Sequence, residues 1–349
     1  MRGRIWLQWI ESTIWYPTVL TFGAVSLAFI GLNDASDAAL ASNKTFTLIV
    51  VLAIYWIATF IALKGLNWVG KISKWGGMIG TIIPAGLLIV LGIIYISTGG
   101  HNYMDMSQGF FPDLSKIDNL VLASSIFLFY AGMEMMGVHV MDVNNPSRNY
   151  PKAIIIGSLA TVCIFVLGTF ALGFIIPAKD INLTQSLLIG FDNYFRHFHI
   201  SWAGPVIAVA LMFGVLASVL TWVAGPSKGI FSVGKAGYLP PFFQKTNGQG
   251  VQRNILLVQG GIVTLLALLF VVMPSVQSFY QILSQLTILL YLIMYMLMFA
   301  AAIALRYKMK DTPRPFRLGK GNALMWILGS IGFGGSLLAL SSVSSLRVR

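Results

Sequence analysis

Charge is scarce in this sequence. Asp, Glu, Lys and Arg make up 10% of 349 residues, and only 11 are acids, whereas a soluble domain carries about 25% charge. Cys163 is the one cysteine, which excludes an intrachain disulfide and any cysteine-based metal site. The four histidines (His101, His139, His197 and His199) form no HExxH pair. No Walker loop occurs, and no Ser/His/Asp set is readable from the sequence. The chain is therefore not expected to be an enzyme, and no cofactor or metal is expected. The acids also fail to balance the bases, leaving a net charge of +12. The basic residues sit in loops between apolar runs, which points to a membrane protein and not to a nucleic-acid partner.

What is present is hydrophobic length. The composition is 57% hydrophobic with a mean hydropathy of +0.80. A membrane-crossing helix needs about 20 apolar residues. Nine stretches qualify, near 6–31, 45–63, 72–97, 119–142, 153–177, 203–225, 254–273, 280–305 and 322–344. The sequence thus predicts an all-α, polytopic membrane protein in a lipid bilayer. The stretch 183–198 is too polar to cross and predicts a short helix along an outer rim. Glu11 and the length of the first apolar run argue against a cleavable signal peptide. Orientation follows from Lys and Arg. With the N-terminus cytoplasmic, seventeen fall inside, among them Lys64, Lys71, Lys228, Lys235, Arg306 and Lys308; Lys44, Lys116, Lys179 and Arg196 fall outside.

Two acids interrupt the apolar runs, Glu11 and Glu134. A central Asp or basic residue costs roughly 2.5–3.5 kcal/mol on insertion scales, so a charge there faces protein or water. Glu11 lies near a helix end and reads as a snorkelling or helix-pairing carboxylate. Glu134 lies deeper, after Tyr130, Ala131, Gly132 and Met133. Glycine there permits a helix break that frees backbone groups to bind a ligand. Glu134 either couples or gates transport, or holds the broken helix by accepting backbone N–H bonds. Tyr291 and Tyr295 are four apart and share a helix face. They line a cavity or belong to an interfacial tyrosine belt, although they lie well inside their run. Trp222, ahead of Gly225-Pro226-Ser227-Lys228-Gly229, lines the same cavity or simply packs. Gly76 and Gly80 read as close helix packing. Gly329, Gly332 and Gly334 match a nucleotide loop only as letters, because no strand precedes them. His139 lines the inner cavity or caps a polar helix face. His197 and His199 lack a third metal ligand nearby.

Two segments carry a family resemblance: Tyr130-Ala131-Gly132-Met133-Glu134, and the exit Asn145-Pro146-Ser147-Arg148-Asn149-Tyr150-Pro151. Phe111 to Lys116, Ile176-Pro177, Gly214-Val215-Leu216-Ala217 and Arg314-Pro315-Phe316 add to it. The chain resembles the amino acid–polyamine–organocation superfamily, and within it the bacterial glutamate/γ-aminobutyrate antiporters. The resemblance implies a LeuT-type inverted-repeat bundle. The chain 1–349 is then one transporter domain: 1–110 holds the last three helices of the first repeat, 111–305 the complete second repeat, and 306–349 an additional helix. Against a family pattern of about twelve helices, the first two helices, the last helix and the C-terminal tail are expected to be missing. The implied function is secondary amino-acid transport by alternating access, of antiporter type, in a bacterial plasma membrane. The implied partners are a small-molecule amino acid and the bilayer, with protons a candidate co-substrate; the oligomeric state stays open. Tyr130, Ala131, Gly132, Met133, Trp222, Tyr291 and Tyr295 would bind or gate substrate, and Glu134 would couple protons or hold structure. The glutamate/γ-aminobutyrate type carries an acid directly after the Gly-Val-Leu-Ala match, where this chain has Ser218. A proton-coupled importer, a non-functional transporter remnant and a membrane partner protein are the alternatives.

Overall fold

The computed structural model of the chain describes residues 2–31, 34–104, 126, 130–310, 312–314, 316, 319 and 321–345. The expected span at 119–142 lies outside the described residues for most of its first half, as do the Phe111 to Lys116 match, Arg317, Lys320 and the side chain of His139.

The described elements are helical. They are α1 (Arg2–Ala28), α2 (Asp34–Ala41), α3 (Lys44–Leu63), α4 (Leu66–Gly77), α5 (Ile83–Ser97), α6 (Pro146–Ile175), α7 (Ser186–His197), α8 (Ala203–Val233), α9 (Arg253–Ala267), α10 (Val276–Lys308) and α11 (Ala323–Ser345). A π-helical turn, Met78–Ile82, joins α4 to α5, and a second, Gly234–Tyr238, extends α8. Met133–Asp142 is a 3₁₀ helix. Among the described residues, seven helices are long and apolar enough to cross a membrane: Lys44–Leu63, Leu66–Ser97, Pro146–Ile175, Ala203–Tyr238, Arg253–Val271, Val276–Lys308 and Ala323–Ser342. Helix α1 falls short of that hydropathy because it carries Gln8, Glu11, Ser12, Thr13 and Thr18, all buried. The chain is an all-α, multi-pass membrane protein. Apolar side chains such as Ile155, Ile156, Leu159, Leu265 and Leu338 stay more than half exposed, as hydrocarbon contact requires.

The chain divides into two compact units. The first comprises Met1–Ser12, Gly109–Ala160 and Gln285–Arg349; the second comprises Thr13–Gln108 and Thr161–Ser284. In the second unit α4 and its π-turn cross α8 at very close range. A Cβ on Gly76 would meet the Ala217 methyl, and one on Gly80 would meet the Gly214 backbone. The small-residue spacing thus serves helix packing. Around this crossing Tyr16, Tyr55, Val219, Leu220 and Val223 close a core. The expected rim helix is α7. It buries Leu188, Phe191, Tyr194 and Phe195 along one stripe, and the Tyr194 hydroxyl donates to the Ala171 carbonyl at 2.5 Å.

In the first unit α10 packs on α11 through Ile288, Leu292 and Ala339. Gly332 leaves room for the Phe299 ring, and Gly329 for Ile303. These glycines are helix-packing residues. Proximity of the two backbones is what they provide.

Candidate functional site

The site grows from one glycine. Tyr130, Ala131 and Gly132 form a turn, and Gly132 takes φ 107° and ψ −13°. That left-handed conformation costs a side-chain-bearing residue roughly 1–2 kcal/mol. The turn leads into the 3₁₀ helix, with Glu134 in its first turn. An acid there meets the positive end of the helix. The Glu134 carboxylate folds back so that Oε2 accepts from the Gly132 N–H at 3.1 Å.

Helix α10 completes the clasp. Tyr291 donates its hydroxyl to Glu134 Oε1 at 2.6 Å, and Tyr295 donates to Oε2 at 2.9 Å. The four-residue spacing puts both phenols on one face, with their rings 5.2 Å apart and edge-to-face. Tyr291 is only 3% exposed. The first distance lies in the short range typical of a hydroxyl donating to a carboxylate. Glu134 therefore has three donors, two from α10 and one from its own turn. Tyr130 is exposed, whereas Ala131, Gly132, Met133 and Glu134 are half-buried. Met133 also reaches α6, where Gly157 lies within 3.7 Å of its sulfur by the Cβ that Gly157 lacks.

Glu11 is more deeply placed than its position in the sequence suggests. It is 1% exposed, so it does not snorkel. Ser12 donates to its Oε2 at 3.3 Å. Gln8, one turn earlier on the same face, donates to the Met135 sulfur at 2.8 Å. Met135 adjoins Glu134, and the two carboxylates interact electrostatically, with Tyr291 in the field of both. The usable signal in the sequence is the spacing of Gln8, Glu11 and Ser12, which puts three polar groups on one stripe of a helix. Trp222 belongs to the second unit. It is half-buried there, with its ring 5.1 Å from that of Trp15. Pro226, four residues on within α8, removes the N–H that would bond the Trp222 carbonyl. Among the described residues no cluster of His, Cys, Asp or Glu could hold a metal ion.

Arranged in this way, the first unit offers a turn opened at Gly132, an anchored carboxylate, two phenols and a further acid that is buried. Such a set can bind an ammonium group or take up a proton; it holds no nucleophile-and-base pair.

A family model described as amino acid permease matches residues 4–344. An uncharacterized transporter of Legionella pneumophila is 34% identical over 94% of this chain and 70% of its own length. A glutamate/gamma-aminobutyrate antiporter of Lactococcus lactis is 32% identical over 96% of this chain and 67% of its own. A protein of the same organism named "Probable agmatine/putrescine antiporter" is 22% identical over 92% of this chain and 66% of its own.

Proposed function

Because this chain belongs to the amino acid permease family, whose members are membrane transporters and not enzymes and share the LeuT-type fold, we propose that it is an amino-acid antiporter working by alternating access. Substrate binds at the turn Tyr130–Met133, where Gly132 opens the backbone, and Tyr291 and Tyr295 wall the site.

The observation that supports this most is the three-donor clasp on Glu134. It gives the site two states. An ionised carboxylate accepts from all three donors, and such charge-assisted bonds are about twice as strong as neutral ones. Protonation turns one oxygen into a donor and removes that extra strength. The tie between the turn and α10 then loosens, so protonation of Glu134 biases the inward-to-outward step. The protein lies in a bacterial plasma membrane, with Lys64, Lys228 and Lys308 on the cytoplasmic side.

Counterflow in proteoliposomes tests this reading. The full-length protein should take up labelled amino acid only when unlabelled amino acid is inside, with no proton gradient imposed. Glu134→Gln should slow exchange or flatten its pH dependence at normal expression. Uptake driven by a proton gradient into empty vesicles would instead identify an importer. Attachment of an impermeant thiol reagent from outside to a cysteine placed at Lys308, in a Cys163→Ala background, would reverse the orientation.

A second reading concerns the substrate. Two carboxylates, the buried Glu11 and the half-buried Glu134, favour a cationic amine, and Ser218 stands where glutamate/γ-aminobutyrate antiporters carry an acid. Competition by agmatine or putrescine but not by glutamate would select this reading.

A further inference from the structure

A hollow lies in the second unit, where α3 ends and α9 begins. Its volume is about 150 Å³, and its walls include Ala62, Leu66, Phe231, Leu256, Lys228 and Gln252. The walls are built. Asn247 donates its Nδ2 to the Leu63 carbonyl at 2.7 Å, which fastens the loop to the end of α3. Its Oδ1 accepts from the Gln249 and Val251 amides at 3.0 Å each. Gly250 turns that loop at φ 73°. Buried Gln252 donates to Ser227, itself fully buried in α8, at 2.7 Å. Loop, α3, α8 and α9 thus form one fixed frame.

The surroundings of the hollow carry one sign of charge. No acid occurs between Lys44 and Met104 or between Asn193 and Lys310, and these segments supply every wall. Lys228 lines the hollow, and the Lys235 ammonium lies 4.9 Å from the centre of the Phe231 ring. Leu66 on the hollow's wall is 52% exposed, and the chain segments that supply or adjoin the walls carry exposed Trp68, Tyr238 and Phe242. Aromatic side chains at helix ends sit at the headgroup level of a bilayer. Basic pockets between membrane helices on the cytoplasmic side bind acidic headgroups.

We propose that this hollow is a binding site for an anionic glycerophospholipid, with its phosphate at Lys228 and Lys235 and its acyl portion along Leu66 and Phe231. Neither the amino-acid site nor its substrate enters this assignment, which rests on the membrane placement and on the orientation proposed above. The lipid would bridge α4 and α8.

Native mass spectrometry of the full-length protein, with equimolar phosphatidylglycerol and phosphatidylcholine added to the detergent, is the test. The protein should retain one phosphatidylglycerol in preference to phosphatidylcholine. Lys228→Gln with Lys235→Gln should lower that preference about tenfold, each lysine near an anionic lipid contributing modestly. Lys310→Gln, on an exposed position of the other unit, should leave it unchanged. Leu66→Trp narrows the hollow from its exposed rim and should also reduce retention; it decides the matter if the lysine variant does not fold. Equal retention of the two lipids, undiminished preference in the variants, or displacement of the lipid by millimolar inorganic phosphate would each overturn the proposal, the last by showing a small-anion site.

Discussion

Replacing Tyr291 by phenylalanine removes one hydroxyl and keeps the ring that packs on Tyr295. The change isolates the 2.6 Å bond to Glu134 Oε1. Tyr291 is 3% exposed, so water cannot readily supply the lost donor. A hydrogen bond to a charged group contributes about 1.5–3 kcal/mol net. Oε2 keeps two donors, the Tyr295 hydroxyl and the Gly132 N–H, so the carboxylate stays anchored and the loss should fall near the lower bound. At about 1.4 kcal/mol per decade, substrate affinity should drop roughly tenfold if substrate binds at the turn. Tyr295→Phe should cost less, because its bond is longer at 2.9 Å and its oxygen has a second donor. A double-mutant cycle makes the argument sharp. In a Glu134→Gln background the phenol meets a neutral amide oxygen, and the effect of Tyr291→Phe should fall to about half. The coupling should then be of the order of 0.5–1.5 kcal/mol, inside the range found for contacting residues. The assay is concentration-dependent counterflow in proteoliposomes, with thermal unfolding recorded for each variant. Additivity within about 0.3–0.5 kcal/mol would refute the reasoning and remove the Tyr291–Glu134 bond from the transport mechanism.

Three further changes probe separate parts of the structure. Gly132→Ala places a side chain at φ 107°; it should cost about 1–2 kcal/mol of stability, seen as a lower melting midpoint, and should impair exchange more than Ala131→Gly does. Trp222→Ala removes the ring that packs on Trp15; it should lower the melting midpoint, since an aromatic pair contributes about 0.5–1.5 kcal/mol beyond burial, and an unchanged midpoint would show that the pair adds nothing to stability. Asp192 on α7, outside the membrane-crossing helices, is pushed up from 3.8 to about 6 by burial and by the nearby Asp37 charge. Its folded value is raised, so the folded state holds a proton that the unfolded chain has already released between these values. Stability should therefore fall as pH rises from about 4 to about 6 and level off above. Asp192→Asn should flatten that slope in pH-dependent melting, and an unaltered slope would assign it to other groups.

Much of this was legible before any coordinates, for identifiable reasons. Apolar length and scarce charge specify membrane helices, because lipid offers no partner to a polar backbone. Tyr291 and Tyr295 could be put on one face because helical periodicity alone decides it. Glycine before an acid marked the break at Gly132, since glycine alone adopts its conformation cheaply. Other features were not local properties. Glu11 looked like an interfacial carboxylate, yet it is buried and lies in the field of Glu134. Its depth depends on what covers that face of α1, and sequence spacing carries no such information. Glu134 showed two alternatives in the sequence, structural anchor or coupling group. Three donors meet its carboxylate, an arrangement that serves either role. Gly76 and Gly80 announced close packing without naming a partner; Gly214 and Ala217 became that partner only once α4 and α8 crossed. The basic hollow drew on α3, a loop pinned by Asn247, α8 and α9, segments up to nearly two hundred residues apart in the chain. Periodicity and composition act over a few turns of helix, so the sequence determined elements, faces and the membrane. Which faces meet is a matter of long-range packing, and that decided, within one unit, where the phenols met Glu134 and, within the other, which walls enclose the hollow beside Lys228.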